Sequence, residues 1–213
     1  MTRSYALIDR DSWRPYFGLV LFCGIALVLS VPSARVVRDL GSASLLSGSP
    51  IFFYAHALFM GVLGLALGAG SAERGEQGGP MVAALGLRVL IGQLLCLPYL
   101  VFARALFPGR GGAFTLIVIL TTLVALALAM LSRVLERPRR VGPSLGLLLK
   151  YVLFLAYYAA PLARLSLLSP LGAVQLLLEG AAPSEALLAF AFPVALLAVL
   201  SPLAAGTKGE GRV

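Results

Sequence analysis

Six long runs of apolar residues, in which polar residues do not alternate, constrain this 213-residue chain most strongly. An α-helix of about 20 apolar residues crosses the hydrocarbon core of a bilayer, which is about 30 Å thick, whereas the strands of a membrane barrel alternate in polarity. Only 12% of the residues are charged, and a soluble domain carries about 25%. The sequence therefore predicts an all-α, polytopic membrane protein.

The six predicted transmembrane helices form a single domain that covers residues 1–213. We interpret the first run as a retained transmembrane helix, although a basic start before a short apolar run also fits a signal peptide. Pro32 is expected to end this helix, and residues 34–50 are expected to form a loop with a short surface helix at about 36–46. The helices are expected at about residues 16–31, 51–69, 81–107, 113–131, 144–168 and 184–204.

The distribution of basic residues predicts the orientation. If both termini lie in the cytoplasm, the inner segments carry 10 of the 17 Lys and Arg residues and the outer segments carry 5. Basic residues gather on the cytoplasmic side and contact anionic lipid there, and the stretch from Arg133 to Arg140 fits such an anchor. We therefore predict a multi-pass protein of the cell (inner or plasma) membrane with both termini inside. Basic and aromatic residues do not interleave in a soluble region, so we predict no nucleic-acid partner.

The residues of catalytic and metal sites are scarce in the apolar runs. Cys23 and Cys96 lie inside these runs and fit small buried side chains, and neither has a metal-site spacing to His56. Acidic residues are absent between Glu76 and Glu136 and between Glu136 and Glu179, and the chain has no Gly-Lys-Ser/Thr phosphate loop. We predict no enzymatic activity, no metal and no cofactor, with a membrane-embedded enzyme as the weakest alternative.

A charged, glycine-rich stretch from Gly68 to Pro80 separates the second and third apolar runs. Charges this close to a bilayer are expected to lie in water, so the stretch predicts a polar loop at the membrane surface. Pro80 suits the first turn of the next helix because its missing N–H costs nothing there. The loop is the best candidate for docking a soluble partner, although a solvated loop without a partner remains the alternative. Its candidate contact residues are Ser71, Glu73, Arg74, Glu76 and Gln77.

A second unusual segment precedes the last apolar run. Ser169 fits a helix cap, Pro170 fits the first helical position and Gly180 fits the end of a helix of about ten residues. Such a helix is too short to cross a bilayer. It predicts a short helix on the outer face or a re-entrant hairpin from outside, with an ordinary outer loop as the alternative. Its polar candidates are Gln175 and Glu179.

Several polar residues lie within the apolar runs and are candidates for an intramembrane function. Arg88 is expected to snorkel to the inner surface, or to face a partner or a cavity. Lys150 is expected to snorkel. Neutral His56 is expected to bond to a neighbouring helix, and Tyr157 and Tyr158 are expected to line a pathway or to pack.

The order of these parts resembles the compact ABC-2 type transmembrane subunit of ATP-binding cassette exporters. The six runs with both ends inside are similar to that family's six spans. The residues Ser71 to Gly78 are similar to its Glu-Arg…Gly pattern after the second span, although Gly79 and Pro80 stand where the family has Thr. The Ser-Pro-led segment from Ser169 to Gly180 is similar to its outer re-entrant segment.

This resemblance implies a permease subunit that pairs with a second permease subunit, as a homodimer or a heterodimer. It implies two cytoplasmic ATP-binding subunits that hydrolyse ATP, with the loop after the second span as the coupling element. Members of the family export lipids, glycolipids, polysaccharides, haem-related molecules and drugs. The alternative is a structural or assembly subunit of a larger membrane complex, without transport of its own.

Overall fold

The computed structural model describes residues 13–40, 51–106, 111–136, 143–159, 169–180 and 183–205. These residues form seven α-helices and no strand. The helices are α1 (Trp13–Leu40), α2 (Ile51–Glu73), α3 (Gly78–Leu106), α4 (Gly111–Leu135), α5 (Pro143–Ala159), α6 (Pro170–Glu179) and α7 (Pro183–Ala205).

Five of the described helices are long and apolar enough to cross a membrane, which is compatible with a polytopic membrane protein. Their candidate spans are Trp13–Ser30, Ile51–Glu73, Gly78–Ala105, Gly112–Leu135 and Leu187–Ala204. The predicted fifth span at 144–168 is not among these five. The α5 helix has 17 residues, and residues 160–168 lie outside the described part of the chain. The all-helical class is therefore found, and six spans are not confirmed.

Three predicted helix boundaries were wrong. Pro32 does not end α1, which continues to Leu40, because one proline removes a single backbone hydrogen bond and neighbouring turns hold the helix. The second helix continues past Ala69 to Glu73 and the third already begins at Gly78. The remaining parts of the predicted 34–50 loop and of the basic stretch, residues 41–50 and 137–140, lie outside the described residues.

The centre of the bundle is the crossing of α2 and α4. A Cβ atom on Gly64 would lie 2.1 Å from the carbonyl oxygen of Ala125, and one on Gly68 would lie 2.1 Å from that of Ala129. Helices that lack a hydrophobic driving force in lipid associate through such small residues, because the backbones can then approach closely. Gly64 and Gly68 therefore set the close approach of α2 and α4.

The connection between α2 and α3, residues 74–77, is here called the elbow, and the end of the bundle that carries it is the elbow end. The α1 helix begins there, because the Tyr16 hydroxyl donates to the Arg88 carbonyl over 2.9 Å. The α4 helix ends there, because the Arg133 guanidinium donates to the Glu76 carbonyl. The α5 helix starts there, because Lys150 pairs with Glu136.

The α6 helix has the predicted caps. The Ser169 hydroxyl accepts from the Leu171 N–H over 3.3 Å, Pro170 occupies the first position, and Gly180 ends the helix with φ 82°. The side of α6 that carries Pro170, Gly172, Ala173, Val174 and Leu177 is buried. The short helix therefore packs into the bundle, where it contacts α2 and α4.

Candidate functional site

The elbow is a tight turn that is hydrogen-bonded to the last turn of α2. The N–H groups of Gly75 and Glu76 donate to the carbonyls of Ala72 and Ser71 over 3.0 and 3.3 Å. Gly75 and Gly78 adopt φ values of 64° and 76°, which side chains with a Cβ rarely adopt. The glycines of this stretch therefore allow the chain to reverse within four residues.

The Glu76 carboxylate is the centre of a polar network beneath the elbow. It accepts two hydrogen bonds from the Nη atoms of Arg88, each 2.8 Å long. It also accepts from Arg74 Nε over 2.8 Å and from the Ser71 hydroxyl over 2.9 Å. Glu76 is only 7% exposed and Arg88 only 1%. Two parallel, charge-assisted hydrogen bonds fix the orientation of the Glu76 carboxylate relative to the Arg88 guanidinium.

The same residue also reaches the third central helix. The backbone carbonyl of Glu76 accepts from the guanidinium of Arg133 in the last turn of α4, and Arg133 is 4% exposed. One elbow residue thus bonds to Ser71 in α2, Arg88 in α3 and Arg133 in α4. The elbow is anchored to three helices.

The environment of Glu76 keeps its carboxylate charged. Burial alone raises the pKa of this carboxyl, but hydrogen bonds from Arg88, Arg74 and Ser71 outweigh burial and lower the pKa from 4.5 to about 2. A carboxylate held by several donors keeps its charge because every donor favours the ionised form. The Glu76 carboxyl is therefore ionised at neutral pH.

Two expectations about this region are corrected by the geometry. Glu76 does not lie in water, because α3 and α4 supply donors that replace its hydration shell. Arg88 does not reach solvent, because it is 1% exposed and pairs with Glu76 inside the protein. Glu73 and Gln77 are exposed and Arg74 is partly exposed, so a partner at the elbow would meet these side chains.

A second polar cluster lies deeper in the same three helices. His56 Nε2 in α2 lies 2.9 Å from Gln93 Oε1 in α3. The Gln93 amide nitrogen lies 2.8 and 2.9 Å from the hydroxyls of Thr121 and Thr122 in α4. It also lies 3.0 Å from the Val118 carbonyl. The predicted bond from His56 to a neighbouring helix is confirmed.

The chemistry of this cluster assigns its protons. The Val118 carbonyl can only accept, so the Gln93 side-chain atom that faces it must be the NH₂ group. Gln93 Oε1 then accepts from His56, which must carry its proton on Nε2. His56 Nδ1 is a buried atom without a hydrogen-bond partner among the described residues.

The two predicted tyrosines have different surroundings. The Tyr158 hydroxyl donates to the Ala57 carbonyl in α2 over 2.7 Å. Tyr157 instead packs its ring 5.2 Å from that of Phe192 in α7. Lys150 does not snorkel, since it is 5% exposed and pairs with Glu136. These contacts place Lys150, in the middle of α5, and Tyr158, near its end, in helix–helix contacts.

The polar residues of α6 are separate from both clusters. Gln175 and Glu179 lie on its exposed side and join through a hydrogen bond of 2.8 Å from amide to carboxylate. Ser169 and Pro170 are buried at the start of the helix. The sequence-predicted residues therefore fall into three places: the elbow, the deeper cluster of His56, and α6.

The sequence reasoning missed Gln93, Thr121 and Thr122. Gln93 itself is a signal in the sequence. Its amide lies inside an apolar run, and an amide without hydrogen bonds is costly in hydrocarbon, so a partner on another helix could have been predicted. The role of Arg133 was also missed, because it was grouped with the basic residues that follow it. Only the tertiary structure shows that Arg133 turns inward to the Glu76 carbonyl.

Among the described residues, no group of three or more His, Cys, Asp or Glu side chains is placed to hold a metal ion. The thiols of Cys23 and Cys96 are buried and lie 3.8 Å apart. Comparisons with protein-family models, with curated proteins and with solved structures each find no match to this chain.

Proposed function

We propose that this chain is the transmembrane permease subunit of an ATP-binding cassette exporter, coupled to a separate cytoplasmic ATPase subunit. The observation that carries the proposal is the anchored elbow. A single turn at one end of the bundle is bonded to α2, α3 and α4 through Ser71, Arg88 and Arg133. A partner that displaces this turn displaces three helices with it.

Stiffness is the property that such a coupling element needs. A solvated loop bends when it is pushed, so the force does not reach the helices. The two Arg88 bonds to Glu76 are desolvated and charged, and they are among the strongest side-chain contacts available. The elbow therefore moves with α3 rather than independently of it.

The surface left on the elbow suits a polar partner. Glu73 and Gln77 are exposed, and Arg74 retains partial exposure beside its bond to Glu76. Charged groups at the rim of an interface steer association and fix register more than they add affinity. The docking surface in the proposal is thus formed by Glu73, Arg74 and Gln77, while Ser71 and Glu76 transmit motion inside the protein.

The path of the chain also supports the proposal. Tyr158, near the end of α5, contacts Ala57, which lies six residues or about 9 Å below the far end of α2. Ser169 at the start of α6 bonds back to Tyr158 over 3.2 Å. We therefore take α6 as the re-entrant segment, α5 as the fifth crossing, and the elbow end as the cytoplasmic side with both termini.

The test is purification of the full chain in mild detergent from its native membrane, followed by identification of bound proteins. A nucleotide-binding subunit is expected to co-purify, and a second permease subunit is expected with it. Glu73→Arg should weaken this association. Glu185→Arg is the matched control, because Glu185 is an exposed acid in the first turn of α7, at the opposite end of the bundle.

Coupling is measured on the same assembly. Glu76→Gln should retain the ATPase but uncouple its turnover from the membrane subunit, because the elbow loses its charge and one of its two acceptor oxygens for Arg88. Recovery of an intact complex that contains no nucleotide-binding protein would overturn the proposal and favour a structural or assembly subunit. Equal binding of the ATPase by the Glu73→Arg and wild-type chains would overturn the elbow as the docking surface.

A further inference from the structure

The α5 helix is attached to the bundle along one narrow stripe. Its buried residues recur every four positions, at Gly146, Lys150, Phe154 and Tyr158. Apart from Tyr157, whose ring packs against Phe192 in α7, the other described side chains of α5 are exposed, with Leu145, Leu148 and Leu155 each at 60% or more. An element with few buried contacts is the part of a fold that opens most readily.

The two ends of this stripe are held by unequal contacts. In the elbow-side half of α5, Lys150 pairs with Glu136; Lys150 is 5% exposed and Glu136 is partly exposed. At the far end, the Tyr158 hydroxyl bonds to the Ala57 carbonyl over 2.7 Å. A hydrogen bond between charged groups contributes more to stability than a hydrogen bond between neutral groups. The far end is therefore the weaker attachment.

The Tyr158 contact depends on a glycine in α2. Gly61 stands four residues after Ala57, and its N–H belongs to the same helical turn as the Ala57 carbonyl. A Cβ atom at Gly61 would lie 2.3 Å from the Tyr158 hydroxyl oxygen. Only glycine at position 61 leaves space for the Tyr158 phenol, and we call this space the Gly61 notch. Through it, the Tyr158 hydroxyl reaches the Ala57 carbonyl, which belongs to the backbone hydrogen bonds of α2.

Tyr158 also holds the start of α6. The Ser169 hydroxyl donates to the Tyr158 carbonyl over 3.2 Å and accepts from the Leu171 N–H. Tyr158 thus joins α2, α5 and α6 at one point through its hydroxyl and its carbonyl. Release of its hydroxyl from Ala57 would free the end of α5 together with the start of α6.

We propose that Tyr158 in the Gly61 notch is a releasable latch, and that α5 swings about its first two turns, which Lys150 attaches to Glu136, when the latch opens. The swing opens the bundle sideways between α2 and α5, next to α6. This inference does not depend on an ATPase partner, since it follows from the contacts of α5 alone.

The test measures a distance between spin labels in the full chain in lipid nanodiscs. Labels are attached at Leu155→Cys on α5 and Leu94→Cys on α3, both exposed positions, after Cys23→Ala and Cys96→Ala remove the native thiols. A second pair, Val62→Cys and Leu94→Cys, reports the core between α2 and α3. No ATPase is present, so failure of the proposed function does not affect the result.

Tyr158→Phe and Gly61→Ala are both expected to lengthen and broaden the 155–94 distance, by about 5 Å, or half the spacing of packed helices. The 62–94 distance should stay unchanged, which separates latch opening from unfolding. Tyr157→Phe is the matched control, because Tyr157 packs against Phe192 in α7, and it should leave both distances unchanged. An unchanged 155–94 distance in Tyr158→Phe overturns the latch, whatever Gly61→Ala does.

Discussion

Glu76 and Arg88, twelve residues apart in the chain, meet through two hydrogen bonds of 2.8 Å that join both carboxylate oxygens to both Nη atoms. The pair lies between a turn and the first third of α3, and both side chains are nearly inaccessible. An isolated guanidinium at that position would be very costly in hydrocarbon. The Glu76 carboxylate offsets the cost of burying the Arg88 charge inside the bundle.

The first prediction concerns the energy of this pair. Glu76→Gln should lower the free energy of unfolding by about 3–5 kcal/mol, because it leaves a buried charge uncompensated. Glu76→Gln combined with Arg88→Met should recover part of this loss. The measurement is chemical or thermal unfolding in detergent, with Glu73→Gln at the exposed end of α2 as the control. Additive losses in the double variant would contradict the coupling.

The second prediction concerns pH. The folded pKa of Glu76 is about 2 against an ordinary 4.5, so its stabilisation is present above about pH 4.5 and is lost as pH falls toward 2. The melting temperature of the wild-type chain should drop across that window. The drop should be smaller in Glu76→Gln, which has no carboxyl to protonate there. Identical profiles of the two proteins would refute this assignment.

The third prediction concerns the crossing of α2 and α4. Gly64→Ala should destabilise the protein by about 1–3 kcal/mol or more, because the new methyl group meets the rigid Ala125 carbonyl. Gly86→Ala is the matched control in α3, where a Cβ meets no atom within 4 Å. It should be neutral or stabilising by up to about 1 kcal/mol. Similar melting temperatures for the two variants would contradict the close approach.

The fourth prediction concerns the deeper polar cluster. Gln93→Leu should cost about 1–2 kcal/mol, a typical upper value for hydrogen bonds between membrane helices, because His56 Nε2 loses its partner. Thr122→Val should cost less, since Gln93 keeps Thr121 and Val118 as acceptors. His56→Phe added to Gln93→Leu should restore stability, because no buried donor is then left unbonded. Thermal unfolding of the four proteins checks this order.

Much of the architecture could be read from patterns of single residues. The long apolar runs predicted α2, α3, α4 and α7, and Ser169, Pro170 and Gly180 predicted both ends of α6. These features are local: a capping hydroxyl or a glycine at positive φ acts on backbone groups within a turn of itself. The prediction from Pro32 was wrong because the neighbouring turns of α1 keep the helix intact through this local disruption.

By itself, the amino-acid sequence determined that the chain is helical, that most of its helices match a bilayer, and that a polar turn separates α2 from α3. The tertiary structure alone decided that Glu76 and Arg88 neutralise each other, that Gln93 links His56 to Thr121 and Thr122, and that Tyr158 enters the notch at Gly61. Hydropathy is a property of each residue by itself, so the sequence is enough to locate apolar helices. The hydrogen-bond partner of a buried polar group lies on another helix, so only the packing of the helices determines which partner it meets.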